Sequence, residues 1–456
     1  MELYEYSAIE LALLIRQKKC SVREVVTAYL RRIEVVNPKI NAIVVLRAEQ
    51  ALCEANELDT ALAHNEIKGP LHGVPFTLKD IFNTKGDIVT AGTLGLKNHV
   101  AKSDAIVAKR LKQAGGILIG KTNTPELECG SDTDNLVYGR TTNPYKEGYS
   151  AGGSSGGGGA IIAAGGSAFD VGSDIGGSVR IPASHCGITS IRPTVGRVPG
   201  TGLLYGQREG LLSLIFTEGP LARKVADLEL ILNLISGPDG VDPRAIPMPL
   251  LASHDVNLSQ ARVAFFYDNN IVDINSDVKR AVKNAANVFN RKNYKVTEVM
   301  PPCFETGYKL FRELNAPIFL YTFQELLTRF KTEKLSVLME QTIDFLEKTN
   351  VDLKTFSRHW VKWDRYRSDM LQFMQAFDVL ICPVMPFAPS QKNWDNTLFP
   401  KLAYAWAITM ALLPSAVVRA GTSDEGIPIG VQVVANPWRE DVALAAAKII
   451  EHANLR

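Results

Sequence analysis

The chain has 456 residues, 46% hydrophobic and 21% charged, a composition that excludes a disordered or fibrous protein and allows a large buried core. Its formal net charge of +2 comes from mixed signs along the whole length, so no basic stripe exists to follow a phosphate backbone, and nucleic acid is excluded as the main partner. Six cysteines (Cys20, Cys53, Cys129, Cys186, Cys303, Cys382) are scattered with no C-x-x-C pair, which reads as reduced thiols in a cytoplasmic protein rather than a disulfide framework.

Residues 1–65 read as a helical part packed on the core, with no targeting sequence. Ser7 with Glu10, and Ser21 with Glu24, form S-x-x-E capping boxes that open two amphipathic helices. The second repeats Val25, Val26, Tyr29, Leu30, Ile33 and Val36 and is expected to stop at Asn37-Pro38. A short strand is expected within Ile40 to Leu46, then a helix over Ala48 to Ala63. Val74 to Leu78 reads as an apolar strand that delivers Lys79 at its end, where α/β proteins usually place their sites. Asp104 is expected to cap a helix running to Ala114, with a strand at Ile117 to Gly120. Further on, strands are expected at Arg262 to Tyr267, Lys295 to Val299, Asp378 to Cys382, Ser415 to Val418 and Ile429 to Val434, with helices at Asp277 to Asn290 and Asp441 to His452. Strands apolar on both faces belong inside a sheet covered by helices. The fold class is therefore α/β, one large domain over residues 1–456 built on a mixed β-sheet with helices on both faces.

Two segments depart from that rhythm. Residues 304–377 read as helical and aromatic-rich, a layer packed against the core. Leu402 to Val418 is apolar, but it is 17 residues long and contains Pro414 and Ser415, where a membrane span needs ~20. A buried helix followed by a strand accounts for it, so no membrane span is expected.

The unusual stretch is Ser150 to Gly187, where two serine-bearing glycine clusters flank the apolar segment Ala160 to Ala168. Glycine lets a backbone turn sharply and approach another group closely, whereas a flexible linker would not enclose an apolar segment. Ala160 to Ala168 is long enough for the first loop to run into a helix. Asp170 to Ser173 then reads as a short extended piece leading into a second loop at Asp174 to Arg180. A phosphate cradle would need a lysine after the glycines, and none follows. G-x-S-x-G, the nucleophile-elbow pattern, occurs twice, centred on Ser154 and Ser155, which is cheap in so glycine-rich a run. A third reading joins both loops: the N–H groups of Ile175, Gly176, Gly177 and Ser178 form an oxyanion nest with Ser178 at its edge as nucleophile. A serine needs a base, and none of the seven histidines sits in a context that announces one. Lys79 can serve if burial lowers its pKa. Cys186 and His185, neighbours in the chain, read as a packed thiol and a structural imidazole.

Three motifs, taken together, carry a resemblance. Gly172 to Ala183 reads G-S-D-I-G-G-S-V-R-I-P-A, Gly152 to Gly157 reads G-G-S-S-G-G, and Lys79-Asp80 stands 75 residues before Ser154, itself 24 before Ser178. In this order and spacing they resemble the amidase signature family. Asp134 to Thr141, Asn143-Pro144 and Gly426 to Gln432 extend the likeness from about Ser7 to the end of the chain. The resemblance implies a Ser–cis-Ser–Lys triad within a catalytic motif region at 73–240. Ser178 would be the nucleophile, Ser154 (after a cis peptide) the proton relay, and Lys79 the neutral base, with the N–H groups of Ile175 to Ser178 as oxyanion hole. It implies an acyl-enzyme and neither cofactor nor metal. By analogy, residues 304–377 wall the substrate pocket, together with Cys129, Gly130 and Ser131. Ser155 and Ser173 are expected to bond loop backbone, and Asp174 with Arg180 to form an ion pair that structures the loop.

The activity this implies is hydrolysis of a small or lipophilic carboxamide to carboxylate and ammonia or amine, with a small-molecule amide as partner and a homodimer left open. The alternative is the glutaminase A subunit of a tRNA-dependent amidotransferase, which shares the three motifs but usually carries Thr where Ile175 stands and Gln where Ile181 stands. An inactive scaffold of the same fold would not need Lys79, Ser154 and Ser178 intact. An α/β-hydrolase with a histidine base matches the elbow pattern alone.

Overall fold

The computed structural model describes residues 1–204, 210–349, 351–390 and 396–454. The apolar runs assemble into one sheet of eleven strands: β1 (Ile43–Leu46), β2 (Pro75–Lys79), β3 (Ile117–Thr122), β4 (Phe169–Asp174), β5 (Thr189–Arg192), β6 (Thr217–Ala222), β7 (Arg262–Phe265), β8 (Lys295–Glu298), β9 (Val379–Pro383), β10 (Ser415–Thr422) and β11 (Pro428–Val434). Their spatial order is β1-β3-β2-β4-β6-β5-β10-β11-β9-β7-β8. The sheet is mixed: β2 runs parallel to β3 and β4, and β7 parallel to β8 and β9, while every other neighbouring pair is antiparallel.

Alternation along the strands divides the interior into two cores. Val263, Val379, Ile381, Ala416 and Val418 bury on one side with the helices Ser276–Asn290 and Glu440–Asn454. Ala264, Leu380, Cys382 and Val417 bury on the other with the helices Phe304–Phe330, Leu353–Ala376 and Ala403–Met410. Helices on both faces explain why β2, β3, β4, β9 and β11 are buried at every position, the setting in which a strand such as β9 (V-L-I-C-P) reads as a continuous apolar run. The edge strand β8 carries exposed Lys295 and Glu298, charges that discourage pairing with another chain.

The capping boxes at Ser7 and Ser21 form as expected, but Asn37-Pro38 does not end the second helix. Val22–Ile40 runs through Pro38 to a left-handed cap at Asn41, φ 50°. A proline that late removes little of the hydrogen-bond ladder, and the Asn37 side chain accepts the N–H groups of Ala42 and Ile43 just beyond it. Asp104 is not a helix cap either. Ala105 holds the N-cap of Ile106–Gln113, and Asp104 instead accepts from the Lys85 N–H and pairs with Lys112. The strands β5 and β6 have no counterpart among the sequence expectations, because T-S-I-R and T-E-G-P-L-A place an arginine, a glutamate and a proline inside the sheet. Arg192 is accommodated by the carbonyls of Leu413 and Ile215. Pro220, which has no N–H to donate, faces Val171 of β4, and β5 pairs with β6 only beyond it, at Leu221 and Ala222. Leu402 to Val418 resolves into the buried helix Ala403–Met410 and then β10. No helix among the described residues is long and apolar enough to cross a membrane.

Candidate active site

Because β2 and β4 are parallel neighbours, their C-terminal ends open on the same side, and each delivers a polar residue there. Successive strand residues point to opposite sides, which splits the Lys79-Asp80 pair. Asp80 turns toward Thr90 and a buried ion pair with Lys121 at 3.2 Å. Lys79, fully buried, points to the loops, with its Nζ 2.6 Å from Ser154 Oγ, 3.0 Å from Ser173 Oγ and 2.5 Å from Glu128 Oε1. Burial pulls the pKa of this amine below its ordinary value, while the Glu128 carboxylate pushes the other way.

The first glycine loop threads its backbone where no side chain fits. A Cβ on Gly153 would lie 2.7 Å from the Ser131 carbonyl carbon. The following peptide, Gly153–Ser154, is cis, and the chain then enters the helix Gly156–Ala163. Ser155 structures the loop through its backbone alone. Its N–H donates to the Ser178 carbonyl and its carbonyl accepts from the Gly159 N–H, but its buried hydroxyl has no hydrogen-bond partner among the described residues, contrary to the sequence expectation. Ser173 differs too: its hydroxyl bonds Lys79 and Glu128 instead of loop backbone.

The second loop is clamped by Asp174. Its carboxylate accepts the N–H groups of Gly177 (3.0 Å) and Val179 (3.2 Å) and pairs with Arg180 at 2.9 Å. Burial alone would raise this carboxyl, but Arg180 and Arg192 hold it below the usual carboxylate range. Arg180 spends its remaining donors on the Ala405 carbonyl, Gln432 and Thr409, so the expected loop-structuring pair is present. Of the four N–H groups expected to form a nest, that of Gly177 donates to Asp174, whereas those of Ile175, Gly176 and Ser178 have no acceptor among the described residues. Ser178 is partly exposed. Its hydroxyl lines the same cavity as Ser154 and Ser173 without a hydrogen bond to Ser154.

That cavity measures roughly 1040 Å³ with its mouth included, and it joins the loops to the helical layer. Cys129, Gly130 and Ser131 line it beside Ser154, Ile175, Gly176 and Ser178. Phe311, Phe319, Phe323, Leu326, Leu338 and Phe345 from residues 304–377 line it as well, together with Phe399 and Trp406. From sequence, Trp406 reads only as part of a buried helix. Burial pushes the Cys129 thiol up to about 12, which removes it as a nucleophile near neutral pH. No histidine among the described residues lines the cavity. His185 is buried with neither ring nitrogen bonded and its pKa is driven down to about 3 by burial, and Cys186 beside it is packed, its thiol on the Ala151 carbonyl.

Glu128 is the residue that the sequence does not announce. It follows T-P-E-L at a turn where Leu127 (φ 48°) and Glu128 (φ 60°) are both left-handed. Its side chain is only 8% exposed and packs against Lys79 and Ser173. No spacing or motif marks such a residue, because the turn conformation alone brings it to the lysine.

Comparisons with known proteins give relatives over nearly the whole chain. A protein-family model described as Amidase matches residues 24–444. The indoleacetamide hydrolase of Bradyrhizobium diazoefficiens is 34% identical, across 98% of this chain and 86% of its own. The A subunit of the glutamyl-tRNA(Gln) amidotransferase from Geobacter metallireducens is 30% identical, across 99% of this chain and 98% of its own. Among solved structures, 6-aminohexanoate cyclic dimer hydrolase superposes with a TM-score of 0.87 at 27% identity, across 99% of this chain and 97% of that one.

Proposed function

The chain belongs to the amidase signature family and is a hydrolase of amide carbon–nitrogen bonds, and from that premise we propose that it cleaves a small or lipophilic carboxamide through Ser178, Ser154 and Lys79. Ser178 Oγ attacks the carbonyl carbon, its proton passing through Ser154 Oγ to the Lys79 amine. The developing oxyanion takes the free N–H groups of Ile175, Gly176 and Ser178, donors fixed in place before the reaction begins. As the carbon–nitrogen bond breaks, the proton returns through Ser154 to the leaving nitrogen. Water then hydrolyses the Ser178 ester with the same groups in the same roles.

The observation that carries the reading is the 2.6 Å contact between Lys79 Nζ and Ser154 Oγ in a fully buried setting. A lysine is a base only when neutral, and burial favours that form. Glu128 is the second support. It lies 2.5 Å from the same nitrogen and, against burial, sets how readily Lys79 takes up a proton.

The aromatic wall favours a free-standing amidase over the amidotransferase component, since the one carboxylate among the described lining residues, Glu128, is held by Lys79 and Ser173, and the Phe, Leu and Trp side chains offer little to the charged α-amino group of glutamine. We place the enzyme in the cytoplasm, as a monomer or homodimer. The test is to assay the purified chain for ammonia or amine release from short aliphatic amides, arylacetamides, fatty amides and glutamine, and to label it with a fluorophosphonate. Labelling should vanish in Ser178→Ala and slow in Ser154→Ala and Lys79→Ala. Labelling that survives in Ser178→Ala sinks the assignment, and turnover of glutamine alone, only with partner proteins, favours the amidotransferase.

A further inference from the structure

We infer that Arg312 makes this enzyme select amides that carry an anionic group, a carboxylate above all, at the end remote from the reacting carboxamide. The inference rests on the amide-hydrolase reading and adds to it a substrate class. Among the described residues lining the cavity, only Glu128 and Arg312 are charged. Glu128 is committed to Lys79 and Ser173. Arg312 is not matched in the same way. Its one polar contact among the described residues is the Tyr308 hydroxyl at 3.5 Å, and its Nε is buried with no acceptor. The guanidinium otherwise lies over two rings, 5.8 Å from the centre of Tyr308 and 5.4 Å from that of Phe345.

Its helical neighbours show that this is not the habit of the whole helix Phe304–Phe330. Lys309 pairs with Glu305 at 2.8 Å, and Glu313 lies 3.4 Å from His359. A buried donor without an acceptor is costly, and the planar fork of an arginine matches a carboxylate with two parallel hydrogen bonds. Rings beneath the guanidinium hold it flat and leave its edge for such a partner.

The packing also sets where the anion would sit. A Cβ on Gly176, in the nucleophile loop, would lie 2.8 Å from Trp406 Nε1 and 3.4 Å from the Phe311 ring. Trp406 stacks on Phe311 at 4.3 Å and on Tyr308 at 5.9 Å, and Tyr308 underlies Arg312. The guanidinium is thus separated from the loop by a layer of aromatic rings. A substrate reaching both must place an apolar spacer between its carboxamide and its anion. The ligand class is an amide with a terminal carboxylate, on either its acyl or its amine side, joined through an apolar chain or ring.

The test compares kcat/KM of the full chain on monoamides of linear dicarboxylic acids with alkanamides of equal length ending in methyl, across increasing chain length. The expected result is a length at which the carboxylate is preferred by about 10- to 100-fold, the size of a charge-assisted hydrogen bond, carried mainly in KM and reduced by salt. In Arg312→Met that ratio should collapse toward one, and in Arg312→Lys part of it should remain. As a readout independent of turnover, a linear dicarboxylate should protect the protein from fluorophosphonate labelling better than the matching monocarboxylate, and Arg312→Met should erase the difference. A preference for neutral amides at every length, or an equal carboxylate preference in Arg312→Met, overturns the inference while leaving the hydrolase reading intact. Absence of all amide turnover would instead sink that reading, and the protection assay would still judge Arg312.

Discussion

The two walls of the cavity are built on opposite principles. On the sheet side, Lys79, Glu128, Ser173, Asp174 and Arg180 are buried or nearly so and joined by hydrogen bonds and ion pairs. On the helical side, Phe311, Phe319, Phe323 and Trp406 stack on one another, and Arg312 is the one lining charge among the described residues. A polar network in a low-dielectric interior tolerates almost no displacement, so the first wall fixes chemistry. Apolar packing accepts exchanges of similar volume at modest cost, so the second is free to fit a substrate. Mutations on the two sides should therefore fail in different ways.

The largest effect is expected at the proposed nucleophile. Ser178→Ala should lower kcat by about 10⁶-fold, the scale on which a serine hydrolase loses its nucleophile, with an unchanged melting curve. Lys79→Ala should cost roughly 10²–10⁴-fold in kcat, the range of general acid–base catalysis. A kcat within tenfold of wild type in either variant would remove the sheet-side wall from the chemistry.

Next comes the clamp. Arg180→Ala leaves the Asp174 carboxylate buried without its main partner, and breaking a buried pair in this way costs about 3–5 kcal/mol, readable in urea unfolding. The stability that Asp174 contributes is present above the usual carboxylate range and is lost as the pH falls through its lowered pKa, so the wild type should weaken in acid more than Arg180→Ala does. On the helical side, Phe323→Ala opens the cavity rather than breaking a network. It should change KM for bulky against short amides by roughly 10- to 200-fold, the span of apolar pocket discrimination, and leave kcat on short amides nearly as it was. A loss of kcat comparable to that of Lys79→Ala would erase the contrast between the walls.

The same contrast explains what can be read from the chain alone. Lys79, Ser154 and Ser178 stand in motifs whose spacing points to one site, and strands such as β9 and β11 show as largely apolar runs because helices cover both faces of the sheet. Strands β5 and β6 stay hidden, since Arg192, Glu218 and Pro220 break that run and are accommodated only by tertiary contacts. The commitment of the Gly177 N–H stays hidden for a related reason. The sequence pairs Asp174 with Arg180, but its carboxylate also captures the Gly177 N–H, and the second partner of a carboxylate leaves no trace in sequence. Trp406 and Arg312 act through packing across distant segments, which no local pattern encodes.

The smallest expected effect is the most diagnostic for Glu128. In Glu128→Gln the side chain keeps its shape and loses its charge. In the proposed reaction Lys79 must be neutral to take the Ser154 proton, so activity should fall as the pH drops through the pKa of the lysine. The Glu128 carboxylate raises that pKa, against burial, which lowers it. Asp170, itself raised to about 7 by burial, and Asp174, paired with Arg180, also face Lys79 and remain in the variant. Removing the Glu128 charge should therefore move the acid limb of kcat/KM to lower pH. If Glu128 also stores the proton that Lys79 gives up, the same variant should lower the plateau rate, because glutamine cannot accept it. A limb that shifts with an unchanged plateau would make Glu128 a purely electrostatic neighbour, and a limb that stays in place would separate it from Lys79 altogether.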